Sequence, residues 1–175
     1  MNHIDNSADN IPRQVVPRDF SFLSEADQQI VQGLYGFMET LSGCTGCAFI
    51  LQGMKVSGIG DGIQADIDIT EGTFLYDGKL YHLENPVHLT GLLSGRDVSF
   101  LLEEQDHEPS PVYDENLAPT INCHKKYICG DVVNAMATPA VRAMDMKRFT
   151  LQGGGAVTDV NSEIMDIITT PAMQL

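Results

Sequence analysis

Thr73-Phe74-Leu75-Tyr76-Asp77-Gly78-Lys79-Leu80-Tyr81-His82-Leu83 consists of two apolar and aromatic runs joined by Asp-Gly. A two-residue β-turn of type I′ needs positive φ at both central positions, and Asp-Gly tolerates that conformation. The stretch therefore predicts a hairpin in which Tyr76 faces Lys79, Leu75 faces Leu80, Phe74 faces Tyr81 and Thr73 faces His82. Phe74 and Tyr81 would form an aromatic cross-strand pair.

Working outward, the same strand texture continues on both sides. Ile63, Ala65, Ile67 and Ile69 alternate with Gln64, Asp66, Asp68 and Thr70, the pattern of a strand with one buried and one acidic face. Ala48-Phe49-Ile50-Leu51-Gln52 reads as a strand, and Gly53, Gly58, Gly60 and Gly62 read as turns. Val87-His88-Leu89, Val98 to Glu103 and Ile121 to Cys129 read as further strands. Lys125-Lys126, the only Lys-Lys pair in the chain, either faces an acidic strand and holds its register or is simply solvated. Residues 131–146 read as a broken helix. Phe149-Thr150-Leu151-Gln152-Gly153 echoes Phe49-Ile50-Leu51-Gln52-Gly53, an echo better ascribed to chance than to duplication. Gly153-Gly154-Gly155 marks the remaining C-terminal residues as peripheral, with Ile164-Met165 and Ile167-Ile168 available for a partner.

Upstream, the periodicity changes from two to 3.6. Ser24-Glu25-Ala26-Asp27 resembles a capping box, so the spacing predicts a helix from Ser24 to about Leu41, stopped by Ser42-Gly43. Ile30, Leu34, Phe37 and Leu41 recur at intervals of four, three and four, a heptad-type seam widened by Val31 and Met38. Gly33 and Gly36 lie inside it, and each costs up to about 1 kcal/mol relative to alanine. A helix this weak needs a partner surface: its own domain, or copies of itself around a symmetry axis. Before it, Pro12 and Pro17 flank Val15-Val16. That stretch is an extended arm, either frayed or laid on a neighbour through Ile11, Val15, Val16 and Phe20.

Composition limits the function classes. The 175 residues are 43% hydrophobic and 19% charged, which excludes wholesale disorder. Twenty-four acidic against ten basic residues give a net charge of -14, a surface that repels phosphate backbones. The N-terminus has no signal-peptide pattern, and no run approaches the roughly 18 apolar residues of a membrane span. The expectation is a cytoplasmically made protein with reduced cysteines, no nucleic-acid partner and no membrane insertion.

The candidate chemistry is thin. Cys44-x-x-Cys47 has the ligand spacing of zinc sites, with Cys123, His124 and Cys129 as further donors. Cys123 and Cys129 would lie about 20 Å apart on an extended strand, so one metal cannot reach both. A redox Cys-x-x-Cys belongs in a thioredoxin-like βαβ context, and here the motif follows a helix and precedes a strand. Small buried apolar residues are the expected role for these cysteines. Asp66 and Asp68, about 7 Å apart on one strand face, suit calcium or acid/base work, or a merely solvated face, which is the preferred reading. His3, His82, His88, His107 and His124 are scattered. No phosphate loop, dinucleotide fingerprint or metalloprotease helix is present. The expectation is a protein that is no enzyme, with no catalytic residues, cofactor or metal. Tyr76, Tyr81 and Tyr113, beside the acidic loop, are the alternative ligand contacts, suited to a glycan or receptor.

Three segments in order carry a resemblance: Asp27-Gln28-Gln29-Ile30-Val31-Gln32-Gly33-Leu34-Tyr35, then Phe49-Ile50-Leu51-Gln52-Gly53-Met54-Lys55-Val56-Ser57-Gly58, then Ile69-Thr70-Glu71-Gly72 leading into the Asp77-Gly78 hairpin. Over residues 25–130 the chain resembles small structural proteins of the tail, baseplate or fibre region in Bacteroides-type tailed phages and prophages. The resemblance implies a virion protein, made in the bacterial host cytoplasm and assembled with other virion proteins as a homo-oligomer, a trimer by preference. It carries over no functional residue. The resulting expectation is an α+β, mostly β chain in which an N-terminal helix precedes an antiparallel, hairpin-rich sandwich or barrel-like domain. Its parts are an arm over 1–20, an oligomerisation helix over 21–43 with Ile30, Leu34, Phe37 and Leu41 as contacts, a β domain over 44–130 with an acidic loop at 103–119, and a C-terminal extension over 131–175.

Overall fold

The computed structural model describes residues 17–106, 125–150 and 155–171. The chain is mostly β, with an N-terminal helix followed by a curled half-barrel sheet and a second, smaller sheet. After α1 (Pro17–Ser42) come β1 (Ala48–Gly53), β2 (Val56–Gly60), β3 (Gln64–Ile69), β4 (Gly72–Tyr76), β5 (Lys79–Leu83), β6 (Val87–Leu93) and β7 (Ser99–Asp106). Then come β8 (Lys125–Val133), β9 (Ala140–Arg142), a 3-10 turn (Ala143–Asp145), β10 (Met146–Phe149), β11 (Val157–Asp159) and α2 (Val160–Thr169). The large sheet runs β11-β10-β1-β4-β5-β8-β7-β9 and the small one β2-β3-β6.

The hairpin forms with the expected register, Tyr76 to Lys79 through Thr73 to His82. Asp77 and Gly78 take φ of 49° and 67°, as the type I′ turn demands. Phe74 and Tyr81 stack with centroids 5.4 Å apart. In β3, Ala65, Ile67 and Ile69 are buried while Gln64, Asp66 and Asp68 face outward. The core lies between the two sheets and gathers Ile50, Ile67, Ile69, Phe74, Leu92, Phe100 and Val132.

Several sequence expectations are corrected. The helix starts at Pro17 rather than Ser24, so the arm is shorter than 1–20. Proline is favoured in a first helical turn, where its missing N–H has no partner to lose. Gly58 and Gly60 lie in strand β2 instead of turns. A Cβ on Gly58 would overlap the Asp66 carbonyl, and one on Gly60 the Ile167 carbonyl, so the absent side chains permit close packing on both sides. Not every pair is antiparallel: β1 runs parallel to β10, and β5 parallel to β8. Strand β7 extends to Asp106, which takes 103–106 out of the acidic loop. Its remainder, like Cys123, His124 and Tyr113, lies outside the described residues, as do residues 1–16 of the arm.

The C-terminal third is the largest correction. Residues 131–146 form no broken helix; β8 continues to Val133, then β9 and the 3-10 turn lead into β10. Nor is the segment after Gly155 peripheral. Asp159 caps α2, its side chain accepting from the Ser162 N–H at 2.8 Å, and Val160, Ile164 and Ile168 enter the main core. Parallel pairing with β1 brings Phe149 against Phe49, with centroids 6.0 Å apart, so the echoing residues meet as sheet neighbours. Arg148 clamps this third to the rest. Its guanidinium donates to Glu163 Oε1 at 2.7 Å and to the carbonyls of Gly53 at 3.0 Å and Met54 at 2.5 Å.

Substitutions at Gly60 and Arg148 check this packing. Gly60→Ala forces a β-carbon into backbone and should cost about 1–3 kcal/mol in urea unfolding. Arg148→Ala strands a half-buried carboxylate and two carbonyls and should cost about 2–4 kcal/mol in the same assay. Arg148→Lys should recover only part of that loss, because an ammonium cannot reproduce the planar fork.

Candidate interaction surface

Helix α1 lies on the outer face of the large sheet. Phe49 and Leu75, paired across β1 and β4, are fully buried on the face opposite the main core. Tyr35 meets Phe49 with ring centroids 5.8 Å apart, and its hydroxyl donates to the Cys47 carbonyl at 3.0 Å. Burial, with the neighbouring Glu39 carboxylate, pushes the Tyr35 phenol up to about 12. A Cβ on Gly78 would come 2.9 Å from Gln32 Cγ, so the hairpin turn fits directly beneath the helix. Val31, Tyr35 and Met38 are half-buried and form the seat of the helix.

The heptad-type stripe is not that seat. Ile30 is 68% exposed, Leu34 41%, Phe37 60% and Leu41 61%. With 100° between successive residues, the stripe lies roughly a quarter-turn from Val31, Tyr35 and Met38. One arc of the helix is thus used on the body, and the adjoining arc presents four large apolar side chains outward. Gly33 and Gly36 meet nothing within 4 Å, so nothing in the described chain requires them to be glycine. Such a continuous apolar strip on a charged surface marks an interaction site more often than chance.

The helix end is firmly held. Gly43 takes φ of 67° and donates to the Glu39 carbonyl at 2.9 Å, and Gly46 donates to Glu39 Oε1 at 2.7 Å. This folds the Cys44 and Cys47 Cα atoms to 5.9 Å, within disulfide range, and the two are bonded. The pair expected to be reduced thiols, with a low-ranked zinc alternative, is a covalent staple from the helix end to β1. Cys129 is buried with its thiol donating toward the Asp131 carbonyl at 3.4 Å, and burial pushes it up to about 12. A thiol held that high is a poor nucleophile or metal ligand at neutral pH.

The other candidates are dispersed. Tyr76 and Tyr81 rings lie 6.5 Å apart, but Tyr81 is buried in the core and Tyr113 is outside the described residues. Asp66 accepts from the Gly91 N–H at 2.8 Å, and Asp68 pairs with His88 at 2.6 Å, so both carboxylates have local partners. Lys125 pairs with Glu104 on the facing strand β7, as the register argument expects, whereas Lys126 reaches Glu84. Among the described residues, no three His, Cys, Asp or Glu side chains gather as a metal site. A cavity of about 210 Å³ opens beside Tyr76, Ser99, Thr138 and Val141, with the Arg142–Asp145 ion pair in its wall. No histidine, cysteine or glutamate lines it. None of the described helices is long and apolar enough to cross a membrane. The outward direction of the stripe was beyond sequence reasoning, because heptad spacing is shared by seats and free faces.

Reducing Cys44–Cys47 releases a four-residue loop and should lower stability by about 2 kcal/mol on a chain-entropy basis. Paired urea titrations with and without a phosphine reductant measure this, and Cys44→Ser should become insensitive to the reductant.

No family model, curated protein or solved structure matches this chain.

Proposed function

We propose that this chain is a non-enzymatic structural protein that assembles as a symmetric homo-oligomer, with helix α1 at the shared axis. The observation that carries the reading is the uncovered stripe of Ile30, Leu34, Phe37 and Leu41, spaced for helix-to-helix packing and turned away from the body. Each buried large aliphatic or aromatic side chain contributes about 1.5–3 kcal/mol. Four per copy, repeated by symmetry, suffice to offset the cost of bringing copies together. The setting we propose is a phage virion, in the tail, baseplate, fibre or collar region, with other virion proteins as partners. That setting rests on the resemblance carried by the three ordered segments within residues 25–130. A glycan-binding role through Tyr76 and Tyr81 has less support, since the Tyr81 ring stacks inside the core.

Sedimentation velocity tests the assembly. The intact chain should sediment as a multimer, three copies being the preferred number. Leu34→Asp should yield a folded monomer with an unchanged far-UV circular dichroism spectrum. Added salt should strengthen association, because it screens repulsion between copies of charge -14 without weakening an apolar contact. A monomer at all concentrations, indifferent to Leu34→Asp, would falsify the reading.

A further inference from the structure

The curl of the large sheet returns its last strand toward its middle, and the cavity of about 210 Å³ lies at that seam. Tyr76 ends β4 on one side of it, while Ser99 opens β7 and Arg142 closes β9 on the other. Strands β4 and β9 are not hydrogen-bonded neighbours, so it is the curl that gathers these residues. Register sets Ser99 directly opposite Arg142. Their side chains therefore stand on one face of the sheet, and both residues line the cavity. The two strands are pinned together at either end. The Ala143 N–H donates to the Val98 carbonyl at 2.8 Å, and the Leu102 N–H to the Pro139 carbonyl at 3.0 Å. This wall is thus set by sheet backbone.

Ser99 is the anomaly in the wall. It is fully buried, and among the described residues its hydroxyl has no hydrogen-bond partner. A buried hydroxyl gives up its bonds to water, whereas an alanine in the same space would give up nothing. Both chain neighbours, Val98 and Phe100, are buried apolar side chains, so an apolar residue would suit the strand at least as well. The hydroxyl gains only from a partner admitted to the cavity.

The rest of the lining defines that partner. Arg142 Nε donates to Asp145 Oδ2 at 3.0 Å, so cation and anion offset each other and the site favours a ligand without net charge. The chain's charge of -14 further opposes an anion. The ion pair uses Nε and Oδ2, which leaves the guanidinium Nη donors beside the acceptor Oδ1. Adjacent hydroxyl groups, each donor and acceptor at once, match that alternation. Thr138 adds a further hydroxyl to the lining, Tyr76 aromatic surface, and Met136 and Val141 aliphatic surface for C–H groups. A volume of about 210 Å³ is below the roughly 300–1,000 Å³ of drug-sized sites and suits a single ring. We propose that this cavity binds a neutral sugar ring, free or at the end of a glycan. Ser99, Arg142 and Asp145 bond its hydroxyls, and Tyr76 lies against its C–H face. The site is independent of assembly through α1 and leaves out Tyr81, whose ring is buried in the core.

Saturation-transfer difference NMR on the full chain tests this. The probes are the methyl glycosides of glucose, galactose, mannose, fucose and N-acetylglucosamine, with glucose 6-phosphate and methyl glucuronide as anionic comparators. At least one neutral glycoside should bind with a Kd of about 1 mM or below, and the anionic sugars should not. Ser99→Ala should weaken that binding about fivefold or more while Tm stays unchanged or rises, because the unpartnered hydroxyl is gone. Arg142→Met should weaken it about tenfold or more with the far-UV circular dichroism unchanged. The sugar that binds is then offered at the non-reducing end of a trisaccharide. Retained affinity identifies a glycan end as the ligand, and a loss of about tenfold or more identifies the free sugar. Silence from every neutral glycoside, binding of the anionic sugars alone, or binding that both variants leave intact would overturn the proposal. None of these outcomes bears on the multimer reading.

Discussion

Strand β1 is the constraint on which the rest of the molecule depends. Ala48, Phe49 and Ile50 are buried on both sheet faces, Ala48 and Ile50 toward the main core and Phe49 toward α1. Its two edges are also taken, by antiparallel β4 and parallel β10. A strand hydrogen-bonded on both edges and covered on both faces has little room for slippage, because a one-residue shift would exchange the two buried sets. Its start is tied to α1 by the Cys44–Cys47 bond and its end is clamped by Arg148 at Gly53. Helix, large sheet, small sheet and C-terminal third all take their positions from this six-residue segment.

That central position explains why α1 can leave a greasy stripe outward without compromising the fold. Tyr35, Val31 and Met38 secure the helix through one arc, and Glu39 ties its last turn to the following loop. The second arc is then free for association. The helix thus keeps its seat on the body separate from the arc it leaves exposed, the arc proposed above as the contact between copies. The staple and the cap make the presented arc rigid, which lowers the ordering cost of any association.

The small sheet is a contrasting surface. Its outer face mixes Ile59, Ile63 and Leu93 with carboxylates, where α1 offers a nearly uncharged strip. That face is chemically unlike the stripe on α1. The described residues share one principal core, so the relative placement of the stripe and this face is held by the fold itself.

The sequence by itself determined the local features whose physics is local. The Asp77-Gly78 turn with its register, the alternation of β3 and the helix stop at Gly43 arise from φ preferences and periodicity within a few residues. Tertiary structure decided what depended on distant partners. It drew β10 beside β1, about a hundred residues away in the chain, and turned an apparent tail into core through Ile164 and Ile168. It made strand residues of Gly58 and Gly60, because only the approach of β3 and α2 gives their missing side chains a purpose. It also chose which arc of α1 faces the body, a choice that heptad spacing leaves open because burial of either arc satisfies the same pattern. Local chemistry sets the elements; the long-range competition for buried apolar area sets which face of each is spent and which is left over.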